Sequence, residues 1–424
     1  MAENPREHRY FTGNPPEDNR SQFERDRDRV LHSGYFRRLS GVSQVASAAD
    51  GDHFHNRLSH TLEVAQISRR MAEHLAKSSE VSKELLPNAD VAETAALAHD
   101  LGHPPFGHVG GSAIEGFVNA RTGGTDGFEG NAQSFRVVVR LTRREDDFGG
   151  LDLTRASLAA IVKYPWLGGS ENALSIGKYG AYETEKEVYE DAMECVLGVA
   201  NRSVEAEIMD WADDIAYSIH DVYDFYRAGK IPLARLARDP MEWAPIFERL
   251  KHEDPDALRN AAVELRDDLH LVPSTEFNGG ASHRARMRQL SSYLISMFIL
   301  KSTKLVDPSE NNGDFLAIDE RARLKVALLK KLVWHFVIED QALAAQQVGQ
   351  RQCLKKILAA TWVDMKRERQ IILPLSHREL LESGSPPGRV LADFLSNLTE
   401  RQALALYRRL VGLQEGSIMD VITI

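Results

Sequence analysis

Histidine and aspartate residues in three separate segments of the chain have the side chains that hold a catalytic divalent metal ion. The segments are HNRLSH (55–60), ALAHDLGHPPFGH (96–108) and DWADDIAYSIHD (210–221). Neutral imidazole is a common ligand of first-row transition metals, and carboxylate oxygen is the ligand that Mg²⁺ and Mn²⁺ prefer. A mixed set of these ligands, with positions left open for water or phosphate, is typical of a hydrolytic metal site.

The first segment is predicted to open an amphipathic helix over residues 58–77, with His60 on its buried face. Val64, Ile67 and Met71 follow His60 at helical spacing and continue the same stripe. A single histidine on such a face is more often a hydrogen-bonded core residue than a metal ligand. A metal-binding role for His60 therefore depends on the presence of the other two segments.

His99 and Asp100 lie at the end of a second predicted helix, over residues 90–101. Gly102 is typical of a helix stop, and two prolines soon after it prevent continuation. Two adjacent side chains at such an end can turn toward one ion.

Two more histidines, His103 and His108, follow in a segment that is predicted to be a rigid loop, residues 103–112. A histidine at a helix C-terminus also interacts favourably with the helix dipole. That simpler reading accounts for His99 but leaves the two loop histidines unexplained.

The third segment is predicted to be a helix, over residues 204–228, with an apolar face and a second, polar face. Asp213, Tyr217 and Asp221 are spaced at i, i+4 and i+8 and share the polar face. Acidic residues at this spacing are unremarkable on a solvated helix, but this helix is predicted to be buried on most sides. Asp213 is the preferred ligand over Asp214 because it shares its face with the other two residues.

The composition excludes several classes of protein. The 424 residues include 62 acidic and 52 basic ones, and a net charge of −10 argues against dominant binding to a nucleic-acid backbone. The two cysteines, Cys195 and Cys353, form no CxxC pair, so neither a disulfide framework nor a thiolate zinc site is expected. There is no secretory h-region and no apolar run of about 18 residues, so a cytoplasmic location without membrane contact is expected.

Nearly every long segment after residue 22 has helical period, and strand-type alternation is scarce, so the predicted class is all-α. Residues 1–22 have no periodicity and are predicted to be a flexible arm. Residues 23–424 are predicted to be one domain, with helices that include 319–347 and 350–369.

These motifs resemble the HD-domain metallohydrolases, whose H…HD…D signature is matched by His60, His99-Asp100 and Asp213. Within that superfamily the chain is most similar to the deoxyguanosine triphosphate triphosphohydrolase family, over roughly residues 23–412. The blocks that carry this resemblance are FRRLSGVSQV (36–45), NRLSHTLEVAQISR (56–69), AHDLGHPPFGH (98–108), KYPW (163–166), ADDIAYSIHD (212–221), LVWHFVIED (332–340) and, in degraded form, RVLADFLSNLTERQALALY (389–407).

The resemblance implies an HD-domain helical fold with additional C-terminal helices. It implies hydrolysis of a deoxynucleoside triphosphate (dNTP), either dGTP or several dNTPs, to a deoxynucleoside and inorganic triphosphate. One divalent metal per chain is expected, held by His60, His99, Asp100 and Asp213; Mn²⁺ or Mg²⁺ is preferred, and Fe²⁺ and Co²⁺ also fit these ligands. A homo-oligomer is expected, with a hexamer favoured, and a dNTP activator at a subunit interface and single-stranded DNA stay open as further partners.

The resemblance also assigns roles around the substrate. His103 and His108 match the histidines beside the α-phosphate, and His108 is expected to donate the proton to the leaving 5′-oxygen or to assist the nucleophile. The other matches are Gln44 and Val45 at the deoxyribose, Arg57 at a phosphate, Tyr217 and Asp221 beside the sugar and triphosphate, and, by a looser alignment, Lys178 and Tyr179 as a substrate-side pair.

One departure from the family pattern bears on catalysis. Many bacterial members read GHxGE after the second loop histidine, whereas this chain reads GHVGG, with Gly111 in place of the glutamate. Losing the partner of a catalytic histidine can cost orders of magnitude in rate. Glu115, one turn later if a helix begins near Ser112, is the candidate replacement.

Two alternatives stay open. One is a different HD phosphohydrolase, a nucleotidase or phosphodiesterase, against which the FRRLSGVSQV and HPPFGH blocks argue. The other is a weakly active or non-catalytic protein that senses dNTPs or binds single-stranded DNA, motivated by Gly111 and by basic clusters such as SHRARMR (282–288). No GxxxxGK[ST] motif is present, which weighs against a P-loop NTPase.

Overall fold

The computed structural model describes residues 4–11, 19–45, 54–123, 127–144, 149–250, 253–367 and 370–413. These residues form a helical protein with one small two-stranded sheet, so the predicted all-α class is confirmed. Among them, no helix combines the length and the apolar composition that crossing a membrane requires.

The elements are numbered in chain order. The helices of the first half are α1 (Gln22–Leu31), α2 (Gly34–Arg38), α3 (Arg57–Ser78), α4 (Ala89–Ala98), α5 (Gly107–Thr122), α6 (Gly130–Arg136), α7 (Arg155–Ile161), α8 (Glu171–Ile176), α9 (Lys186–Met193) and α10 (Val204–Arg227). Those of the second half are α11 (Leu233–Leu236), α12 (Ala244–Phe247), α13 (Pro255–Asp268), α14 (Ala281–Leu300), α15 (Glu320–Val333), α16 (Gln341–Asp364), α17 (Leu375–Glu382), α18 (Pro387–Asn397) and α19 (Glu400–Leu410). Two π-helical turns lie at Val137–Leu141 and Trp334–Ile338.

The sheet pairs β1 (Thr303–Leu305) with β2 (Leu316–Ile318) in antiparallel register. Its attachment to α10 uses a buried carboxylate: Glu207 accepts the backbone N–H groups of Phe315 at 3.1 Å and Leu316 at 2.9 Å. Strands of three residues give no readable alternation, which is why the sequence did not predict them.

The main core is built around α3, α4 and α10, which pack on one another. The stripe predicted to follow His60 is buried, and Val64 and Met71 are fully enclosed. The alanines of α4, such as Ala92 and Ala95, are also fully buried. Small side chains allow α4 to approach its neighbours closely, so the start of α3, the end of α4 and the middle of α10 can share one site.

A second core joins the C-terminal helices to α5. Ile114 of α5 packs in one apolar cluster with Leu354 of α16 and Phe394 of α18. This cluster also contains Phe106, the residue immediately before α5. The C-terminal helices therefore pack against α5, whose first turn contains His108.

Two predicted boundaries are wrong. Helix α5 begins at Gly107, so His108 lies in a helical first turn and not in a loop extending to residue 112. The break predicted between residues 347 and 350 instead falls at Asp340, whose side chain accepts the Ala342 N–H at 2.9 Å and caps α16. Helix α16 continues through Gly349, where the space around the glycine is open.

Part of the predicted N-terminal arm is packed against the body. Arg9 is 1% exposed and donates to the Asp26 carboxylate at 2.7 Å and to the backbone oxygen of Asp152. Residues 12–18 of the arm lie outside the described residues. The division of the chain into an arm and a single domain stays a prediction.

Candidate metal centre and active site

Local hydrogen bonds place His60 one turn into α3. The Asn56 side chain accepts the Ser59 N–H, and the Ser59 hydroxyl accepts the Asn56 N–H, which forms a capping box. This cap fixes the first turn of the helix. His60 then lies on the buried face, with 2% of its surface exposed.

The turn that carries His99 and Asp100 is held by Ser134 of α6. The Ser134 hydroxyl donates to the His99 carbonyl at 2.6 Å and accepts the Gly102 N–H at 2.9 Å. A Cβ on Gly102 would come within 2.2 Å of the Ser134 nitrogen, so only glycine permits this close approach. The prediction that α4 stops here is confirmed, and α6 is the element that fixes the turn.

The structure brings the predicted ligands together. Within the described parts of the chain, ligand atoms of His60, His99 and Asp100 lie within 4.8 Å of one another, and all three residues are buried. Asp213 of α10 joins them: its Oδ1 lies 3.0 Å from His60 Nε2 and 3.8 Å from His99 Nε2. Two imidazoles and two carboxylates thus converge from three helices.

The hydrogen bonding of His99 shows that these residues fit a metal ion. Its Nδ1 lies 2.6 Å from the Ala96 carbonyl, so Nδ1 carries the proton and Nε2 carries the lone pair. That Nε2 is buried, and the described part of the chain offers it no hydrogen-bond partner. A buried lone pair left without a partner is costly, and a metal ion would satisfy it.

Both carboxylates of the centre are held in the charged form. Burial alone would raise the pKa of Asp100, but the Arg57 guanidinium, 2.6 Å from its Oδ2, and the neighbouring imidazoles hold it well below its ordinary value. Burial would also raise the pKa of Asp213, and the charge of Lys163 together with the His60 hydrogen bond lowers it well below its usual range. Anionic carboxylates are the form that binds a cation.

Lys163 is a residue of the site that sequence reasoning did not single out. Its Nζ lies 2.7 Å from the Asp210 carboxylate and 3.2 Å from Asp213 Oδ2. Asp214, in contrast, pairs with Lys330 of α15 at 2.7 Å. The doublet therefore divides its contacts: Asp213 faces the histidines, and Asp214 faces Lys330. The sequence signal for Lys163 is the KYPW block, to which the sequence alone assigns no role.

The two further histidines lie on the open side of the centre. His103 Nδ1 is 2.9 Å from Asp100 Oδ1, and burial together with the Arg57 charge lowers the pKa of His103 to about 4. His108 keeps an exposed surface in the first turn of α5. Desolvation of its ring and the charges of Arg57 and Lys178 lower the pKa of His108 below its ordinary value.

Lys178 reaches the same region through a carboxylate that the sequence did not indicate. Its Nζ lies 3.1 Å from Oε1 of Glu129, whose side chain also caps α6 by accepting the N–H groups of the first turn. A Cβ on the next residue, Gly130, would lie 3.2 Å from the His103 ring. Gly130, which follows Glu129, therefore packs against the His103 ring.

Gln44 and Val45 lie close to the start of α3. A bridge pairs Ser43 with Asn56, and the Arg57 N–H donates to the Val42 carbonyl at 2.9 Å. The Gln44 Oε1 is buried, and no residue that the structure describes gives it a hydrogen-bond partner. Such an amide oxygen is available to a ligand.

Tyr217 and Asp221 continue the polar face of α10 beyond Asp213, and Asp221 is buried. Its Oδ2 has no hydrogen-bond partner. Burial and the nearby Asp224 carboxylate raise the pKa of Asp221 well above its ordinary value. A protonated carboxyl at this position is able to donate a hydrogen bond.

Gly111 and Glu115 both lie on α5, one turn apart. Because α5 begins at Gly107, Glu115 lies two turns after His108 on the same helix and is exposed. A Cβ on Gly111 would meet only the Phe128 ring, at 3.8 Å, so the site has room for a side chain there.

A second polar cluster joins the same two helices, α3 and α10. His55 Nδ1 lies 2.6 Å from the Asp224 carboxylate, and His55 Nε2 lies 3.1 Å from Glu63. The other oxygen of Glu63 is 2.6 Å from His220 Nδ1. Sequence reasoning missed this cluster because its members belong to different segments and form no motif.

Comparison with known proteins agrees with this geometry. Residues 57–218 match the HD domain, and residues 316–409 match the phosphohydrolase-associated domain. A deoxyguanosinetriphosphate triphosphohydrolase-like protein of Streptomyces coelicolor is 33% identical, covering 93% of this chain and 93% of the relative.

Proteins that carry the same description occur in other bacteria. That of Caulobacter vibrioides is 33% identical over 92% of this chain and 90% of its own length. That of Wolinella succinogenes is 30% identical over 93% of this chain and 96% of its own length. Since HD domains of this class bind a divalent metal and act on phosphate esters, the chain is an HD phosphohydrolase. It belongs to the family of deoxyguanosinetriphosphate triphosphohydrolase-like HD-domain proteins.

Proposed function

We propose that the protein hydrolyses a dNTP at the α-phosphate and releases a deoxynucleoside and inorganic triphosphate. The observation that carries this proposal is that Arg57 and His103 both contact Asp100 of the His60–His99–Asp100–Asp213 cluster, and that His108 lies within range of the Arg57 and Asp100 charges. Basic and proton-transferring side chains next to a divalent metal site are what cleavage of a phosphate ester requires.

His60, His99, Asp100 and Asp213 would hold the metal. When bound, a divalent ion supplies Lewis-acid polarisation of a phosphate oxygen and lowers the pKa of a water molecule. The ligand chemistry suits Mn²⁺ or Mg²⁺, and Fe²⁺ and Co²⁺ are compatible with it.

Positive side chains bind the triphosphate. A dNTP carries about four negative charges, which a chain of net charge −10 must neutralise locally. Arg57 is buried, held by Asp100, and rests against Gly107, where a Cβ would meet its guanidinium at 3.5 Å. Lys178 is partly exposed and is able to turn from Glu129 toward a phosphate. Together they bind and orient the chain of phosphates.

His108 moves the proton. Its lowered pKa keeps the ring neutral in the unliganded protein, and the negative charge of a bound triphosphate would raise that pKa. Water attacks phosphorus and releases a proton to solvent as the bond from phosphorus to the 5′-oxygen breaks. His108 delivers a proton to the departing oxygen, because an alkoxide is a poor leaving group. His103, which lies against Asp100, supports His108. Glu115, on the same helix as His108, is the candidate replacement for the glutamate that family members have at position 111.

The deoxynucleoside is proposed to contact four residues around the start of α3 and along α10, together with Tyr179 from the segment between α8 and α9. The buried amide oxygen of Gln44 and the buried carboxyl of Asp221 lack partners and are available to sugar hydroxyls. Val45 supplies an apolar surface that limits space at the 2′ position. Tyr217 and Tyr179 complete the proposed pocket.

Product analysis tests the proposal. The full-length protein is incubated with each dNTP, singly and mixed, with Mn²⁺ or Mg²⁺, and products are separated by anion-exchange chromatography and identified by mass spectrometry. Deoxynucleoside plus triphosphate supports the proposal, and turnover only in mixtures would reveal an activating dNTP. Pyrophosphate or single phosphate would indicate another HD phosphohydrolase.

A third result, one metal ion bound per chain without turnover of any dNTP, would indicate a sensing or DNA-binding protein instead. Light scattering of the same sample measures the oligomeric state, for which a hexamer is the favoured expectation. Adding single-stranded DNA to the assay tests that partner in the same experiment.

A further inference from the structure

The turn between the last two helices, residues 398–400, contacts the segments that carry the candidate catalytic and substrate residues. Glu400 is the first residue of α19 and is 6% exposed. Its Oε1 accepts the backbone N–H of Ser43 at 3.1 Å and that of Phe106 at 3.2 Å. Its Oε2 accepts the Ser43 hydroxyl at 2.7 Å. One carboxylate thus joins two segments that are far apart in the chain.

At the Phe106 end of this contact, the backbone adopts a conformation that other residues must stabilise. Phe106 has φ of 65°, a left-handed backbone that is unfavourable for a residue with a large side chain. It is also the N-cap of α5, and its own side chain makes no capping hydrogen bond. Glu400 satisfies the Phe106 N–H two residues before His108, so it fixes the start of the helix that carries this histidine.

The Ser43 end of this contact adjoins the segment that is proposed to bind the sugar. Ser43 precedes Gln44 and Val45 and is paired with Asn56, the residue before Arg57. Glu400 therefore sets the distance between the proposed sugar-binding segment and the first turn of α5.

Neighbouring contacts make the turn rigid. Arg38 donates to the Leu398 carbonyl at 3.2 Å and to the His103 carbonyl at 2.6 Å, so the same turn also holds the His103 loop. Thr399 forms a capping box at the start of α19. A Cβ on Gly41 would lie 2.8 Å from the Thr399 methyl, which shows how closely the two segments pack.

We propose that Glu400 is a positioning residue, which aligns His108 with the 43–45 segment through its hydrogen bonds to Phe106 and Ser43. The proposal gives a role to the C-terminal block LTERQALALY (398–407), in which the sequence itself indicated no chemistry. Its effect on turnover rests on the proposed function, whereas its effect on the backbone does not.

Three variants of the full-length protein test the proposal. Glu400→Ala removes all three hydrogen bonds, and Glu400→Gln keeps an oxygen for the two N–H groups and an amide for the Ser43 hydroxyl. Asp364→Ala is the matched control, because Asp364 is also a buried carboxylate of the C-terminal helices, bound to the Ile372 N–H at 2.8 Å.

The first measurement is hydrogen–deuterium exchange followed by mass spectrometry. In Glu400→Ala we expect faster exchange in the peptides that contain Ser43 and Phe106, because both amides lose their acceptor. Glu400→Gln and Asp364→Ala should exchange as the wild type does in these peptides. Unchanged exchange in Glu400→Ala would overturn the proposal whether or not the protein hydrolyses dNTPs.

The second measurement is steady-state kinetics per mole of folded, Mn²⁺-loaded protein. Misplacing a catalytic group by about 1 Å can cost about 100-fold in rate, so we expect kcat of Glu400→Ala to fall about 10- to 100-fold with a smaller change in KM. Glu400→Gln should restore kcat. A kcat loss no larger than that of Asp364→Ala would show that Glu400 is structural only and would overturn the positioning role.

Two further results are also decisive. If the wild type turns over no dNTP, the proposed function fails, and the exchange measurement alone then decides whether Glu400 positions the two segments. If Glu400→Ala does not fold, Glu400→Asp replaces it, because a carboxylate retracted by one methylene cannot reach both N–H groups. The same faster exchange is then expected, and its absence would contradict the proposal.

Discussion

Asp213 Oδ1 lies 3.0 Å from Nε2 of His60, although 153 residues separate the two in the chain. The contact forms because α3 and α10 pack along each other in the main core. Lys163 approaches the other oxygen of Asp213 at 3.2 Å. The cluster therefore brings together His60, Asp213 and the basic side chain of Lys163.

Removal of Asp213 should abolish metal binding and turnover together. Loss of groups that only support metal ligands costs about 10- to 100-fold, so loss of a ligand should cost more than about 100-fold in kcat. Asp214→Ala is the control, because Asp214 pairs with Lys330 and should retain the metal. Calorimetric titration with Mn²⁺ and circular dichroism check both variants. An active Asp213→Ala with an inactive Asp214→Ala would reverse the assignment.

Lys163→Met should weaken metal binding without unfolding the protein. Lys163 bonds Asp213 on the side away from His60, and orienting groups of this kind contribute about 10- to 100-fold in metal affinity. Lys330→Met removes a comparable ion pair, that with Asp214, and should leave the affinity unchanged. Equal metal affinity of the two variants, measured by the same titration, would contradict the role given to Lys163.

Gly111→Glu would place on α5 the glutamate that many family members have at this position. Glu115→Gln should lower kcat about 10-fold or more if Glu115 serves His108. Gly111→Glu should recover part of that loss, because the space at Gly111 is open apart from the Phe128 ring at 3.8 Å. Steady-state kinetics of the two single variants and the double variant decide the question. A Glu115→Gln protein with wild-type kcat would exclude Glu115 as the replacement.

The His55 cluster should make stability depend on pH. Burial opposes protonation, but the hydrogen bonds from His55 to Asp224 and Glu63 raise the pKa of His55 to about 10 from an ordinary 6.5. A pKa raised in the folded state adds stability that is complete below about pH 6.5 and is lost as pH rises toward about 10.

Thermal unfolding over that range checks this prediction. The Tm of the wild type should fall more steeply with rising pH than that of His55→Gln, and the difference between them should shrink toward the alkaline end. His32→Gln, at an exposed histidine, controls for the loss of one imidazole. Parallel Tm curves for the wild type and His55→Gln would show that the cluster contributes no such stability.

Much of the fold follows from local pattern. The helical stripe after His60, the stop at Gly102 and the two faces around Asp213 depend on side-chain periodicity and glycine, which are local properties. The break at Asp340 was misplaced because a capping aspartate leaves no mark on hydrophobic periodicity. The two short strands were not predicted because three residues are too few to show alternation.

The site divides in a similar way. The histidine and aspartate types and their order in the chain predict His60, His99, Asp100 and Asp213 as ligands, because metal chemistry restricts which side chains serve, and the structure brings these four side chains together. Lys163, Glu129 and Glu400 were not predictable as parts of the site. Each is an ordinary charged residue whose partner lies far away in sequence, so only the packed helices reveal the contact.

The sequence alone determined the helical class, the ligand types and the family resemblance, because each depends on residue identity and short-range spacing. Tertiary structure decided which oxygen faces which imidazole, where α5 begins and how Glu400 holds Phe106 and Ser43. These features depend on the free energy of packing distant segments against one another, which no local pattern encodes.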